Sequence, residues 1–168
     1  GELSSVLVVA PARVRDLTWA TEHLKWSHLS HLDVQIFPSI GQITIVSFNQ
    51  LKDALESRGW DGLIVDEVTK VKTAGGVWFK NLRKHLKNFK WRVAMTGTLV
   101  DEGLQNLYTM AMVCDLGAAL GRNKDVFLRR YFYSTDYKQY NWEPKENTSR
   151  ELACLIASFK HDCPVDDQ

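Results

Sequence analysis

Gly62-Leu63-Ile64-Val65-Asp66-Glu67-Val68-Thr69-Lys70-Val71-Lys72 carries three apolar residues straight into two acids. An unbroken Leu-Ile-Val run with no polar alternation suits a strand buried on both faces, as in a parallel sheet covered by helices. Acids at the carboxyl end of such a strand line the crevice where open α/β sheets bind ligands. There, one carboxylate can hold Mg²⁺ while the other orients or deprotonates a water, which is the arrangement that phosphate hydrolysis requires. The same residues also suit a plainer alternative, a strand that ends in a solvated Asp-Glu turn.

Outward from this stretch, Val6-Leu7-Val8-Val9-Ala10 is a second fully apolar run, stopped by Pro11, and reads as another buried parallel strand. Residues 13–27 have helical spacing, with Val14, Leu17, Thr21 and Leu24 on one face. Trp19 and Trp26 share a side of that helix and are read as core. Residues 33–37 and 43–46 are short β-rich runs parted by Pro38, Ser39 and Gly41. Ser47 with Gln50 three residues on has the form of a capping box, so a helix carrying Leu51 and Leu55 starts there and ends near Gly59.

After the Gly75-Gly76 break, Trp78, Phe79, Leu82, Leu86 and Phe89 alternate at helical intervals with Lys80, Arg83, Lys84 and Lys87. This predicts a helix with a core side and a basic side, the latter read as solvated surface. Residues 91–95 form a further short β-like run that ends in Thr96-Gly97-Thr98. An amphipathic helix with Leu104, Leu107, Tyr108 and Ala111 is expected to reach about Cys114, followed by a short helical piece over 125–131. No firm structure is assigned to 132–147. Thr148 to Glu151 reads as a capping box whose helix buries Leu152, Leu155, Ile156 and Phe159 before Pro164. Strands alternating with helices predict an α/β domain with a mainly parallel sheet flanked by helices.

Composition bounds the rest. The 168 residues, 45% hydrophobic and 11% aromatic, suffice for one domain with a sizeable core. Lys plus Arg number 21 against 20 Asp plus Glu, so any nucleic-acid surface must be local. Cys114, Cys154 and Cys163 are odd in number and lack CxxC spacing, which argues against a disulfide framework or a thiolate zinc site and for a reducing, cytoplasmic setting. His23, His28 and His31 match no common zinc spacing. No apolar run approaches the ~18 residues of a membrane span, so no membrane is expected as a partner.

Four blocks in this order resemble the first RecA-like lobe of superfamily-two helicases, and most closely Swi/Snf-type ATPases in the version common in bacteriophages. They are Val6 to Arg13 (VLVVAPAR), Ile43 to Asn49 (ITIVSFN), Gly62 to Lys72 (GLIVDEVTKVK) and Arg92 to Thr98 (RVAMTGT). Trp19-x-x-Glu22 with Lys25-Trp26 resembles the helix after the family's first nucleic-acid motif. The run from Gly103 to Tyr108, then Asp115-Leu116-Gly117, Leu120-Gly121, Phe127 and Arg130-Tyr131-Phe132, resembles the phage-type continuation.

The resemblance covers nearly all of 6–132, and residues 1–168 are taken as a single partial helicase lobe with a C-terminal helical extension at about 148–163. It implies that Asp66 binds the Mg²⁺ of MgATP through water and that Glu67 polarises the water attacking the γ-phosphate. Thr96, Gly97 and Thr98 match the motif that couples hydrolysis to movement, with hydroxyls bonding back toward the acids. Pro11, Ala12 and Arg13 match a motif that contacts the phosphodiester backbone. Ser47 and Phe48 match a second such contact, and Lys72 matches a basic residue after the acid box, although helix capping and a plain surface lysine account for Ser47 and Lys72 equally well. The implied partners are DNA, or RNA, and a second RecA-like lobe. The implied location is the cytoplasm of a bacterial or phage-infected cell.

The family pattern continues TGT with Pro where this chain has Leu99, and has amides where this chain has Asp101 and Glu102. The family also binds phosphate through a G-x-x-x-x-G-K-[ST] loop, and no Gly-Lys dipeptide occurs in these 168 residues. The expectation is an N-terminally truncated P-loop NTPase lobe that holds one wall of an ATP pocket, binds neither ATP nor Mg²⁺ alone, and belongs to a longer nucleic-acid-dependent ATPase. In the family the strand carrying the loop lies beside the TGT strand. Residues 91–95 are therefore expected near an exposed edge, which another copy or a rearranged segment can cover. Two alternatives stand beside this: a degenerate lobe that only binds nucleic acid or protein, and a metal-dependent nuclease using Asp61, Glu67 and a lysine.

Overall fold

The apolar runs of the sequence become parallel neighbours. In a computed structural model, which describes residues 4–68, 76–97, 103–138, 141–158 and 160, β1 (Val6–Ala10), β2 (Val34–Ile36), β3 (Ile43–Ser47), β4 (Gly62–Val65) and β5 (Trp91–Ala94) form one sheet in the order β2-β3-β1-β4-β5. Every pairing is parallel. Leu7, Val8, Val9 and Ala10 of β1, Ile45 and Val46 of β3, and Leu63 and Val65 of β4 are completely buried. Burial on both faces is what an uninterrupted apolar run requires, and it sets these strands in the middle of the sheet. Among the described strands β5 is an outer one, as expected, and its Trp91 is 45% exposed.

The chain forms two compact units, residues 1–102 and 103–168, at a boundary where the sequence carries no evident linker. In the first unit, a helical run over 12–25, here α1, follows β1. α2 (Leu51–Ser57) follows β3 and buries Leu51, Ala54 and Leu55. α3 (Val77–His85) precedes β5 and buries Leu82, while Lys80, Arg83, Lys84 and Lys87 are exposed. Its basic side is therefore at the surface, as read from the spacing. Gly41 sits where a Cβ would stand 2.6 Å from the Asp33 carbonyl oxygen, so only glycine fits the link from β2 to β3.

The expected face of α1 is wrong. Leu17 and Leu24 are 66% and 62% exposed, and Trp26, read as core, is 52% exposed. The cause is a wide turn: Arg15–Trp19 is π-helical, with the Ala20 N–H donating to the Arg15 carbonyl, which breaks the regular helical phase.

At the amino end of β4, Asp61 ties the unit together. Its Oδ2 accepts from the Ser4 N–H (3.0 Å) and hydroxyl (2.6 Å), and its Oδ1 lies 2.6 Å from Lys90 Nζ. Lys90 first, then the Ser4 hydroxyl and Ser4 N–H, hold the Asp61 carboxyl well below its ordinary value of 3.8. A depressed folded value means that this contribution is complete above about pH 4 and is lost as pH falls toward the folded value. Asp61→Asn is thus expected to flatten the acid limb of the stability curve below about pH 4. Urea unfolding of both proteins on either side of that pH checks it, and parallel acid limbs would contradict it.

The second unit contains α4 (Leu107–Asp115), α5 (Lys124–Tyr131), a hairpin of β6 (Phe132–Ser134) and β7 (Trp142–Pro144), and α6 (Thr148–Ile156). The Phe127 ring lies 5.4 Å from Tyr108, 5.4 Å from Tyr131 and 5.7 Å from Phe132. This cluster explains why aromatic residues fall where they do in the sequence. The Asp115-Leu116-Gly117 stretch is a helix stop. Asp115 accepts from the Gly117 and Ala119 N–H groups (2.7 and 2.8 Å), and a Cβ on Gly117 (φ +82°) would meet the Gly121 carbonyl at 2.7 Å.

Local expectations for α4 and α6 fail in this unit, and a stretch left unassigned carries a hairpin. α4 is not amphipathic, since Leu107 through Val113 are all buried. The hairpin occupies part of a stretch left without structure; its three-residue strands are too short for a periodic signal. Thr148 does not cap α6: its hydroxyl donates to the Tyr131 carbonyl (2.7 Å), Asn147 takes the cap position, and Leu155 is 38% exposed. Phe159, Cys163 and Pro164 lie outside the described residues.

Candidate nucleotide site at the carboxyl end of the sheet

After β1 the chain crosses to the β3 side, and after β3 it returns past β1 to add β4 and β5. The carboxyl ends of β1 and β4 therefore face the switch point of the sheet, where open α/β sheets place ligands. Asp66 and Glu67 stand immediately after β4 at that point. The Asp66 N–H bonds to the Val9 carbonyl (2.8 Å), the Met95 N–H to the Val65 carbonyl (2.8 Å) and the Val68 N–H to the Met95 carbonyl (3.0 Å). With Val68 fully buried, the acids are held between the extensions of two ladders. They do not fray into a solvated turn.

Glu67 adopts φ +52°, a left-handed backbone that costs a non-glycine residue about 1–3 kcal/mol. Such strain persists only where neighbours over-determine it, and here the bonds of Asp66 and Val68 on either side do so. Thr96 Oγ1 donates to Glu67 Oε1 at 3.2 Å, so a hydroxyl of the TGT block bonds to an acid of the pair. The indole Nε1–H of Trp19 donates to Asp66 Oδ2 at 2.9 Å. Sequence reasoning gave Trp19 to the core and missed this contact, because helical periodicity cannot register a π-turn.

Pro11, Ala12 and Arg13 open α1 at the carboxyl end of β1, with Ala12 and Arg13 exposed. Ser47 ends β3, and its N–H and hydroxyl both bond to Gln50 Oε1 (3.3 and 3.0 Å). The Phe48 side chain is 6% exposed, with its ring stacked on Trp78 at 5.1 Å, so a nucleic-acid contact at these two positions would have to run through the backbone. Gly97 is exposed, and beyond its chain neighbours no described residue comes within 4 Å of where a Cβ would stand. Lys72 and Thr98, with Leu99, Asp101 and Glu102, lie outside the described residues.

Asp61 is at the opposite end of β4 from Asp66, on the order of 16 Å away along the strand, and is bonded to Ser4 and Lys90. That geometry rules out a nuclease site of Asp61 with Glu67. No cluster of three or more His, Cys, Asp or Glu suited to a metal occurs among the described residues, so His23, His28 and His31 do not gather. Mg²⁺ nevertheless suits the acids after β4. It commonly binds through one or two carboxylates and completes its shell with water and substrate phosphate, and Trp19 occupies only Oδ2 of Asp66. No helix among the described residues is long and apolar enough to cross a membrane.

An all-parallel sheet with helical crossovers and two acids at its switch point fits the RecA-like class of α/β fold. The comparisons make the version specific. The SWI2/SNF2 ATPase core of Sulfolobus solfataricus, solved in complex with dsDNA, superposes with a TM-score of 0.71 over 94% of this chain and 33% of its own, at 23% identity. The chain thus has the fold of a RecA-like lobe of the SWI2/SNF2 ATPase core. Putative protein p41 of Acyrthosiphon pisum secondary endosymbiont phage 1 is 30% identical over 84% of this chain and 35% of its own length. The Chromodomain-helicase-DNA-binding protein 3 homolog of Caenorhabditis elegans is 38% identical over 60 residues, 36% of this chain and 3% of that protein. The chain spans about a third of the phage protein and of the solved core. No family model matches.

Proposed function

We propose that these residues form part of a Swi/Snf-type, nucleic-acid-dependent ATPase that couples ATP hydrolysis to translocation on DNA or its remodelling. The observation that carries the proposal is the junction of Asp66, Glu67 and Thr96 at the switch point, with the Thr96 hydroxyl on Glu67. In this reading Asp66 holds the Mg²⁺ of MgATP through water and Glu67 polarises the attacking water. Thr96, Gly97 and Thr98 couple the acids to motion. Pro11, Ala12, Arg13, the backbone at Ser47 and Phe48, and Lys72 supply the contacts to the phosphodiester strand. The phosphate loop and the second lobe come from outside these residues, so the 168-residue polypeptide supplies one wall of the pocket.

A second reading, a lobe that binds nucleic acid without hydrolysis, draws on the absence of a Gly-Lys dipeptide in these residues. The coding sequence upstream of Gly1 separates the two, because an in-frame phosphate loop there supports the ATPase and a start codon directly before Gly1 supports the binding module.

Arg13 provides a direct test of the nucleic-acid face. Removing one phosphate contact lowers the slope of log affinity against log salt by about one. Arg13→Ala is expected to do this for duplex DNA in a fluorescence anisotropy titration of the 168-residue chain. An unchanged slope would remove Arg13 from the interface.

A further inference from the structure

We infer that Trp19 is a positioning residue for Asp66, fixing the orientation of the carboxylate. The inference takes the metal-holding role of Asp66 from the function proposed above, while the contact stands by itself. The indole Nε1–H lies 2.9 Å from Asp66 Oδ2, across 47 residues of sequence. Trp19 closes the π-helical run Arg15–Trp19. The opening residue of that run is pinned as well: Arg15 Nη1 donates to Gln50 Oε1 at 2.6 Å, the oxygen that also accepts from the Ser47 N–H and hydroxyl. The wide turn is thus tied to the chain just after β3 at one end and just after β4 at the other.

The burial pattern agrees. Leu17 and Leu24 of α1 lie largely in solvent while Trp19 is half-buried, so the segment leaves both leucines outside and turns in a hydrogen-bond donor. The chemistry of the donor is also apt. An indole N–H donates only, cannot ligate a cation and carries no charge. It therefore fixes Oδ2 without neutralising the carboxylate, whereas a lysine or arginine partner would compete with the metal for its charge. Oδ1 is left to meet a metal-bound water. Because α1 begins at Ala12 and Arg13, the same helix joins the proposed nucleic-acid face to the proposed metal acid.

The test uses the 168-residue chain labelled uniformly with ¹³C and ¹⁵N, whose six indole resonances are assigned by connection to their own backbone amides. The Trp19 indole proton is expected to lie furthest downfield in the wild type, to move upfield in Asp66→Asn and further in Asp66→Ala, with solvent exchange about tenfold faster in the last. Three-bond couplings are expected to show one χ1 rotamer for Asp66 in the wild type and in Trp26→Phe, and averaging in Trp19→Phe. An indole resonance indifferent to both Asp66 substitutions would overturn the inference, and this arm does not depend on Trp19→Phe folding. Mn²⁺ with ATP, standing in for MgATP, judges the underlying reading separately by broadening the Asp66 and Glu67 amides in a polypeptide that joins these residues to a phosphate loop and a second lobe. If the indole responds to Asp66 but Mn²⁺ leaves those amides sharp, the positioning role is supported and the metal reading fails.

Discussion

Leu63→Ala is expected to destabilise the first unit by about 2–5 kcal/mol, the usual cost of truncating a fully buried leucine. Leu63 has no exposed surface and lies in β4 between β1 and β5. A cavity there cannot collapse easily, because both neighbouring strands are held by backbone ladders. Asp66→Asn, three residues on, changes a half-buried side chain that accepts a hydrogen bond from Trp19, and is expected to cost less than about 1 kcal/mol. Urea unfolding of the two variants separates scaffold from chemistry along one strand. Equal losses would mean that Asp66 is a structural residue.

Glu67→Gln is expected to lower ATP turnover by about 10²–10⁴-fold in any polypeptide that joins these residues to a phosphate loop and a second lobe. The amide keeps the shape and can still meet the Thr96 hydroxyl, but it cannot take a proton from water or stabilise positive charge developing on it. Fold and DNA affinity are expected to survive. The 168-residue polypeptide alone is expected to release no phosphate above background, since the amides and lysine of a phosphate loop are needed to bind the β and γ groups.

The parts legible in the sequence are those fixed by a single local rule. Val6 to Ala10 and Leu63 to Val65 are unbroken apolar runs, and their places inside a parallel sheet followed directly, with Val6 and Ile64 left half-buried. Ser47 and Gln50 declared a capping box, and the structure contains one. The position of Asp66 and Glu67 at the end of a buried strand also followed, and with it the site's place in the fold.

What was hidden depends on departures from regular geometry or on partners far away in sequence. Val14, Leu17, Thr21 and Leu24 share a face only in a regular α-helix, and the π-turn at Arg15–Trp19 invalidates that assumption. Trp19 was consequently misread, although a tryptophan assigned to the core always raises the question of what its N–H meets. Thr148 displayed the letters of a cap, yet the Tyr131 carbonyl competes for its hydroxyl, and nothing in the local sequence announces that. The left-handed Glu67 likewise has no signature in residue type. It arises because the bonds of Asp66 to Val9 and of Val68 to Met95 fix the chain on both sides.

The most direct test of the central claim is DNA-stimulated phosphate release by a polypeptide in which these residues are joined to a phosphate loop and a second lobe, assayed as wild type and as Glu67→Gln. The account predicts turnover that rises with duplex DNA in the wild type and falls to background in Glu67→Gln with DNA binding intact. Equal turnover by the two proteins would contradict it.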